Sequence, residues 1–216
     1  MNNIINLTKM SLINLKAVYK QIYYVWIIWI GIAIFNPFFL NILLGISVLL
    51  TLYQVMAYED NNNVDYLISY LPVKKSEYVI SRYLFGIISI LLSLIVIVAV
   101  YFISIKINPA EKMPLELLLP TSILSAVLSI AVIIPLVLKF GINKGRVFMS
   151  IIVMVISTIP VSIVSKLNET HDIINNIMSI INKIGLPIIS IILSIVVLVI
   201  SIFISLELYI NKEIKE

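Results

Sequence analysis

Four stretches of the chain are apolar for about the length that crosses a bilayer, with no charged residue among them. They are Leu84–Ile105, Leu117–Leu138, Val147–Ser165 and Leu186–Leu206. Roughly 20 apolar residues in a helix span a hydrocarbon core of about 30 Å. Pro120 and Pro135 interrupt the second stretch and Pro160 the third. Pro187 stands near the start of the fourth, where a first helical turn tolerates it.

The remaining uncharged run, Gln21–Tyr58, is too long for one span. As a single helix it would measure about 57 Å at 1.5 Å per residue. Asn36-Pro37 lies near its middle and is a turn signal. The run therefore reads as a helical hairpin with a short turn, and the competing reading is one long helix kinked at Pro37. The first reading predicts six spans over 21–36, 38–58, 84–105, 117–138, 147–165 and 186–206. The expected fold class is an all-α polytopic membrane protein, a single transmembrane domain over 1–216. The first apolar run follows three lysines, and no small-residue cleavage site comes after it, so an insertion signal that stays in place is expected.

Three segments outside the spans have helical periodicity of their own. In residues 1–20, Lys9, Lys16 and Lys20 share one stripe, and Ile4, Leu7, Leu15 and Val18 lie opposite. This predicts an amphipathic interfacial helix with its lysines toward anionic headgroups. After span two, Val64, Leu67, Ile68 and Leu71 recur at i, i+3, i+4 and i+7, one face of a short helix. The Asp60–Asn63 cluster offers N-caps before it, and Pro72 ends it by disfavouring helical geometry at Leu71. Ser76 is placed to cap the next helix. Between spans five and six, Ile173, Ile177, Ile180, Ile181 and Ile184 predict an outer amphipathic helix ending at Gly185.

Composition agrees with the pattern. The 216 residues are 61% hydrophobic and 12% charged, whereas soluble domains run near 45–50% and about 25%. Cysteine is absent, which excludes disulfides, thiolate metal sites and a Cys nucleophile. The net charge of +4 is modest and carries no nucleic-acid reading. The distribution of the basic residues is more informative. Eleven fall in one set of alternating segments: Lys9, Lys16, Lys20, Lys74, Lys75, Arg82, Lys139, Lys144, Arg146, Lys212 and Lys215. Four fall in the other set: Lys106, Lys112, Lys166 and Lys183. The positive-inside rule then predicts cytosolic termini.

No catalytic centre is evident. The six predicted spans hold no Asp, Glu, Lys, Arg or His, although ion-coupled carriers and proton relays rely on such groups. The single histidine, His171, has only Glu169 and Asp172 beside it, a poor metal set. No Gly-rich phosphate loop and no Gly-x-Ser-x-Gly occurs. The serines in the spans (Ser89, Ser93, Ser125, Ser129, Ser150, Ser157, Ser190 and Ser194) read as helix-packing residues. Energy for any transport must then come from outside the chain. The short helix near Val64–Leu71 is a candidate docking element, with Tyr66 and Tyr70 on its flank suited to an interface.

The stretch Tyr58-Glu59-Asp60, Tyr66-Leu67-Ile68-Ser69-Tyr70-Leu71-Pro72-Val73-Lys74-Lys75-Ser76-Glu77 and Arg82-Tyr83-Leu84 resembles the first cytosolic loop of ABC-2 type transporter permeases, in their small bacterial six-helix branch. The layout of the whole chain is similar too. The resemblance implies a coupling helix that seats in a cytosolic ATPase subunit, using Glu59, Asp60, Val64, Asp65, Tyr66, Leu67, Ile68, Tyr70, Leu71, Pro72, Lys74 and Lys75. It implies a second cytosolic contact at Lys139, Asn143, Lys144 and Arg146. It implies a second permease subunit, identical or related. ATP and Mg would be held by the partner, no cofactor by this chain, and the surrounding lipid would be that of a bacterial cytoplasmic membrane. Relatives of this size often export peptides or toxins, or give resistance to peptide antibiotics. The competing class is a membrane scaffold or toxin-immunity protein without an ATPase partner. An intramembrane enzyme would need several Ser, Asn and Tyr groups converging on an enclosed pocket.

Overall fold

The computed structural model describes residues 2–35, 39–107, 115–167 and 185–211, with the side chains at 41, 65, 69, 117, 143–167 and 186 left out. The described residues are helical apart from short turns. The helices are α1 (Asn2–Phe35), α2 (Leu40–Asn61), α3 (Val64–Tyr70), α4 (Lys75–Ile107), α5 (Leu115–Leu167) and α6 (Leu186–Ile210). Among the described residues, five helical segments are long and apolar enough to cross a membrane: Asn2–Phe35, Ile42–Asn61, Lys75–Ile107, Leu118–Ile142 and Pro187–Ile210. Together they make the chain a multi-pass membrane protein.

The Gln21–Tyr58 run is a hairpin. α1 ends at Phe35, α2 begins at Leu40, and the two helices pack on each other. Trp29 stacks on Phe39 across the turn, with ring centroids 5.1 Å apart. The boundary expected near residue 20 is absent. α1 is one unbroken helix of 34 residues, about 51 Å long. Residues 2–20 are thus collinear with the first span. Leu7, Thr8, Ser11, Val18, Ile22 and Ala33 are buried along its whole length. The reason is packing: the inner stripe keeps a helical period across residue 20 and finds α2 and α4 to lie on.

α2 is the centre of the bundle. Leu43, Leu44, Val48, Leu49, Leu52 and Val55 are all buried, because α1, α4 and α5 pack around it. In a membrane, lipid is as apolar as leucine, so helices associate through close packing rather than through the hydrophobic effect. Gly45 shows how close. A Cβ placed there would stand 2.9 Å from Ser125 Oγ and 3.1 Å from the Ser125 backbone of α5. The hydroxyls mostly satisfy themselves. Ser47, Ser89, Ser122 and Ser129 each donate to the carbonyl four residues back in their own helix. α6 lies at the rim, with Ile188, Ile191, Ile192, Ile195, Ile200 and Phe203 exposed on its lipid side.

α5 passes Pro120 and Pro135 and breaks only at Gly141. There φ is 73° and ψ is 176°, a conformation that essentially only glycine adopts. The expected loop over 139–146 is therefore one glycine joining two helical limbs. The span predicted at 147–165 falls on the second limb, whose side chains lie outside the described residues, and the outer helix predicted at 166–185 falls almost wholly outside them.

Gly45→Ala is expected to lower the thermal unfolding midpoint of the detergent-solubilised chain, with an overpacking cost of about 1–3 kcal/mol. Gly31→Ala, where a Cβ meets nothing within 4 Å, should leave the midpoint in place or raise it.

Candidate functional site

The candidate site is the end of the bundle where α2 hands over to α3 and α4, here called the basal end. α2 closes with a turn in which the Asn63 amide donates to the Asp60 carbonyl at 3.0 Å. Asn63 itself is left-handed, with φ at 53°, a conformation its short polar side chain tolerates. The expected side-chain N-cap is not made; the Asn63 carbonyl instead accepts from the amides of Tyr66 and Leu67. α3 then runs for seven residues. It stops where the proline predicts, since Leu71 before Pro72 is extended. α4 starts at Lys75, two residues earlier than a Ser76 cap implies, and is capped by a different group. Lys74 is its cap, and its amide donates to Glu77 Oε2 at 3.0 Å. This is the reciprocal half of a capping box. Asn3 of α1 donates to the same oxygen at 3.1 Å.

α3 has two faces. Val64 and Ile68 are buried and turn into the bundle. Tyr66, Leu67, Tyr70 and Leu71 are 40%, 60%, 72% and 53% exposed and turn away from it. The Tyr66 and Tyr70 rings meet edge to face at 5.3 Å, and a hydrogen bond to Tyr66 pushes the Tyr70 phenol above its ordinary range. This pairing stiffens an apolar, hydroxyl-edged surface. Asp60, Pro72 and Lys74 are exposed around it. Lys75 turns inward, donating from Nζ to the Ile210 carbonyl at 3.0 Å and so closing the end of α6.

Beneath α3 lies a group of residues whose pairing the sequence did not reveal. Glu59 at the end of α2 and Arg82 near the start of α4 form a buried ion pair, each 3% exposed or less at its side chain. Ser11 of α1 donates to Glu59 Oε1 at 3.3 Å and accepts from Arg82 Nη1 at 2.7 Å. Asn14 donates to Glu59 Oε1 at 2.9 Å. On the other side Arg82 Nη2 donates to the Tyr78 hydroxyl at 2.5 Å, and the guanidinium stands 4.3 Å from the centre of the Tyr78 ring. Tyr78 in turn packs on Tyr209 of α6 at 5.2 Å. One step along α4, the Tyr83 hydroxyl meets Ser201 Oγ at 2.6 Å and Ser205 Oγ at 2.7 Å. Ser201 donates onward to the Ala131 carbonyl of α5 at 2.7 Å. Five helices are thereby tied at one level.

This changes the expected docking set. Glu59 is sealed in the bundle against Arg82, and Val64 and Ile68 are spent on packing. None of the three faces outward. Of the residues expected to dock, Tyr66, Leu67, Tyr70 and Leu71 face outward, with Asp60, Pro72 and Lys74 exposed around them. The Asp65 side chain lies outside the described residues, as do those of Asn143, Lys144 and Arg146; Lys139 is exposed. Lys9, Lys16 and Lys20 are exposed along α1. The acidic end of span two and the basic start of span three were both visible in the sequence. Their nearness was the only signal that could have paired them.

A protein-family model described as ABC-2 family transporter protein matches residues 6–210. The chain therefore belongs to the ABC-2 transporter family. No curated protein and no solved structure matches it.

Glu59→Ala or Arg82→Ala alone is expected to cost about 3–5 kcal/mol, since each leaves an uncompensated buried charge. Glu59→Leu with Arg82→Leu should cost clearly less than either single change. Thermal unfolding of the four purified chains, wild type included, measures the difference.

Proposed function

We propose that the chain is the permease subunit of an ATP-driven ABC-2 exporter, energised by a separate cytosolic ATPase subunit that docks on α3. The observation that carries this reading is the outward face of α3. Three large side chains of the seven-residue helix, and Leu71 just after it, stand exposed between α2 and α4, which the buried Glu59–Arg82 pair joins. An exposed helix with no anchorage would transmit no force. This one runs at its two ends into α2 and α4, which Glu59 and Arg82 join, and Ser11 and Asn14 bring α1 to the same pair. A push on α3 therefore reaches three membrane helices at once.

In this reading the second limb of α5 is a sixth span, and the kink at Gly141 marks the second, smaller contact with the ATPase near Lys139, Asn143, Lys144 and Arg146. Both termini face the cytosol of a bacterial cell, on the strength of the eleven-to-four distribution of basic residues. Two permease subunits, copies or relatives, enclose the pathway. ATP and Mg belong to the partner. The cargo is an amphipathic peptide, toxin or other greasy substrate, a class that suits spans without internal charge.

Leu67→Asp tests the docking. Leu67 is 60% exposed, so the substitution should leave folding within about 0.5 kcal/mol of wild type. Placed at the centre of an interface, it should weaken capture of the ATPase by tagged chain at least about 30-fold, as loss of a hot-spot residue does. Absence of any P-loop ATPase with the wild-type chain from its native membrane would favour the scaffold or immunity reading. So would capture that Leu67→Asp leaves unchanged.

The cysteine-free sequence also permits a clean topology test. Single cysteines at Asn61 and Met113 should react with an impermeant maleimide from opposite sides, Asn61→Cys only after the cytosolic side is opened.

A further inference from the structure

Between α1 and α4, above the ion-pair level, the bundle carries a groove of about 460 Å³. This lies within the range of about 300–1,000 Å³ typical of small-molecule sites. Its wall is almost wholly apolar. Leu15, Ile22 and Trp26 of α1 face Leu92 and Val96 of α4, and Thr51 of α2 forms part of the floor. The exposed Tyr19, Tyr23, Leu92 and Ile95 frame an opening toward lipid rather than toward the middle of the bundle.

Charge is arranged beside the groove. At 100° per residue, Leu15, Tyr19, Ile22 and Trp26 share one face of α1. Lys16 comes three residues before Tyr19 and Lys20 three before Tyr23, so each neighbours a lining tyrosine on the edge of α1 turned away from Leu15, and both are exposed. Neither makes an ion pair among the described residues. Tyr19, Tyr23 and Tyr24 are 54%, 61% and 70% exposed. Tyrosines cluster at headgroup level, so this part of α1 marks the membrane boundary on the basal side. Unpaired lysines at headgroup depth thus stand beside an apolar slot running inward from them. That juxtaposition is complementary to an anionic headgroup with its acyl chain.

We propose that the α1–α4 groove holds one acyl chain of an anionic phospholipid from the basal leaflet, with Lys16 and Lys20 on its phosphate. The lipid fills a gap that side chains leave midway between two helices joined below by Ser11 and Arg82 and above by Ser104 on the Ile34 carbonyl. The assignment needs a membrane-embedded chain and nothing of the ATPase reading. Either can fail without the other.

Trp26 supplies the test, because it lines the groove. Trp29→Phe leaves it as the sole tryptophan and preserves an aromatic ring against Phe39. The full chain is reconstituted in phosphatidylcholine bilayers doped with bromine-labelled phosphatidylglycerol or bromine-labelled phosphatidylcholine, and quenching of Trp26 is recorded. The anionic lipid should quench at lower mole fraction. Lys16→Gln and Lys20→Gln should each reduce that preference about five-fold. Val96→Phe, which fills the slot, should weaken quenching by both lipids. Equal quenching by the two lipids overturns the proposal. So does a preference that survives loss of both lysines, or quenching that Val96→Phe does not alter. Relief of quenching by one equivalent of a synthetic Leu/Lys amphipathic helix would assign the groove to peptide and also overturn it.

Discussion

A carboxylate and a guanidinium buried together in a chain with so little internal charge set the geometry of the whole basal end. Neither Glu59 nor Arg82 can sit in apolar surroundings alone, because an unpaired buried ion costs several kcal/mol. The end of α2 and the first turns of α4 must therefore meet. That closes the stretch between them into a loop of fixed span, and α3 is the helix the loop carries. Ser11 and Asn14 bring α1 to the same point, because the carboxylate has lone pairs left to satisfy. Such a pair is weak evidence for stability, since two well-packed apolar residues can do as well. Its consequence here is positional. It decides which residues of the 59–77 segment face inward and which face outward.

Higher in the bundle the forces are different. There the helices are held by close approach and by hydroxyls that return to their own backbone. α2 at the centre has almost no exposed surface, and α6 at the rim shows most of its isoleucines to lipid. Tight packing between α2 and α5 at Gly45 contrasts with the open groove between α1 and α4. The body is thus closely packed at Gly45 and open midway along the α1–α4 seam, which Ser104 closes again on the Ile34 carbonyl.

The buried network and the exposed face of α3 are two aspects of one arrangement. Tyr66, Leu67, Tyr70 and Leu71 are available because Val64 and Ile68 are not. Membership of the ABC-2 transporter family gives that face a context. The geometry adds what family membership alone does not, namely which side chains stand outward.

Local rules determined much of this protein from its sequence. Apolar length marked five of the six predicted spans, Asn36-Pro37 split the first long run, and Pro72 ended α3, since each depends on a few neighbouring residues and the thickness of a bilayer. Tertiary structure decided the rest. The joining of residues 2–20 to the first span depended on an inner stripe finding α2 and α4. The shrinking of the 139–146 loop to Gly141 depended on one residue's left-handed backbone. Glu59 and Arg82 were both legible as charges at the ends of apolar runs, where a hydropathy reading treats them as boundaries. Their attraction acts across two helices, and no pattern along the chain encodes a distance between residues that only packing brings together.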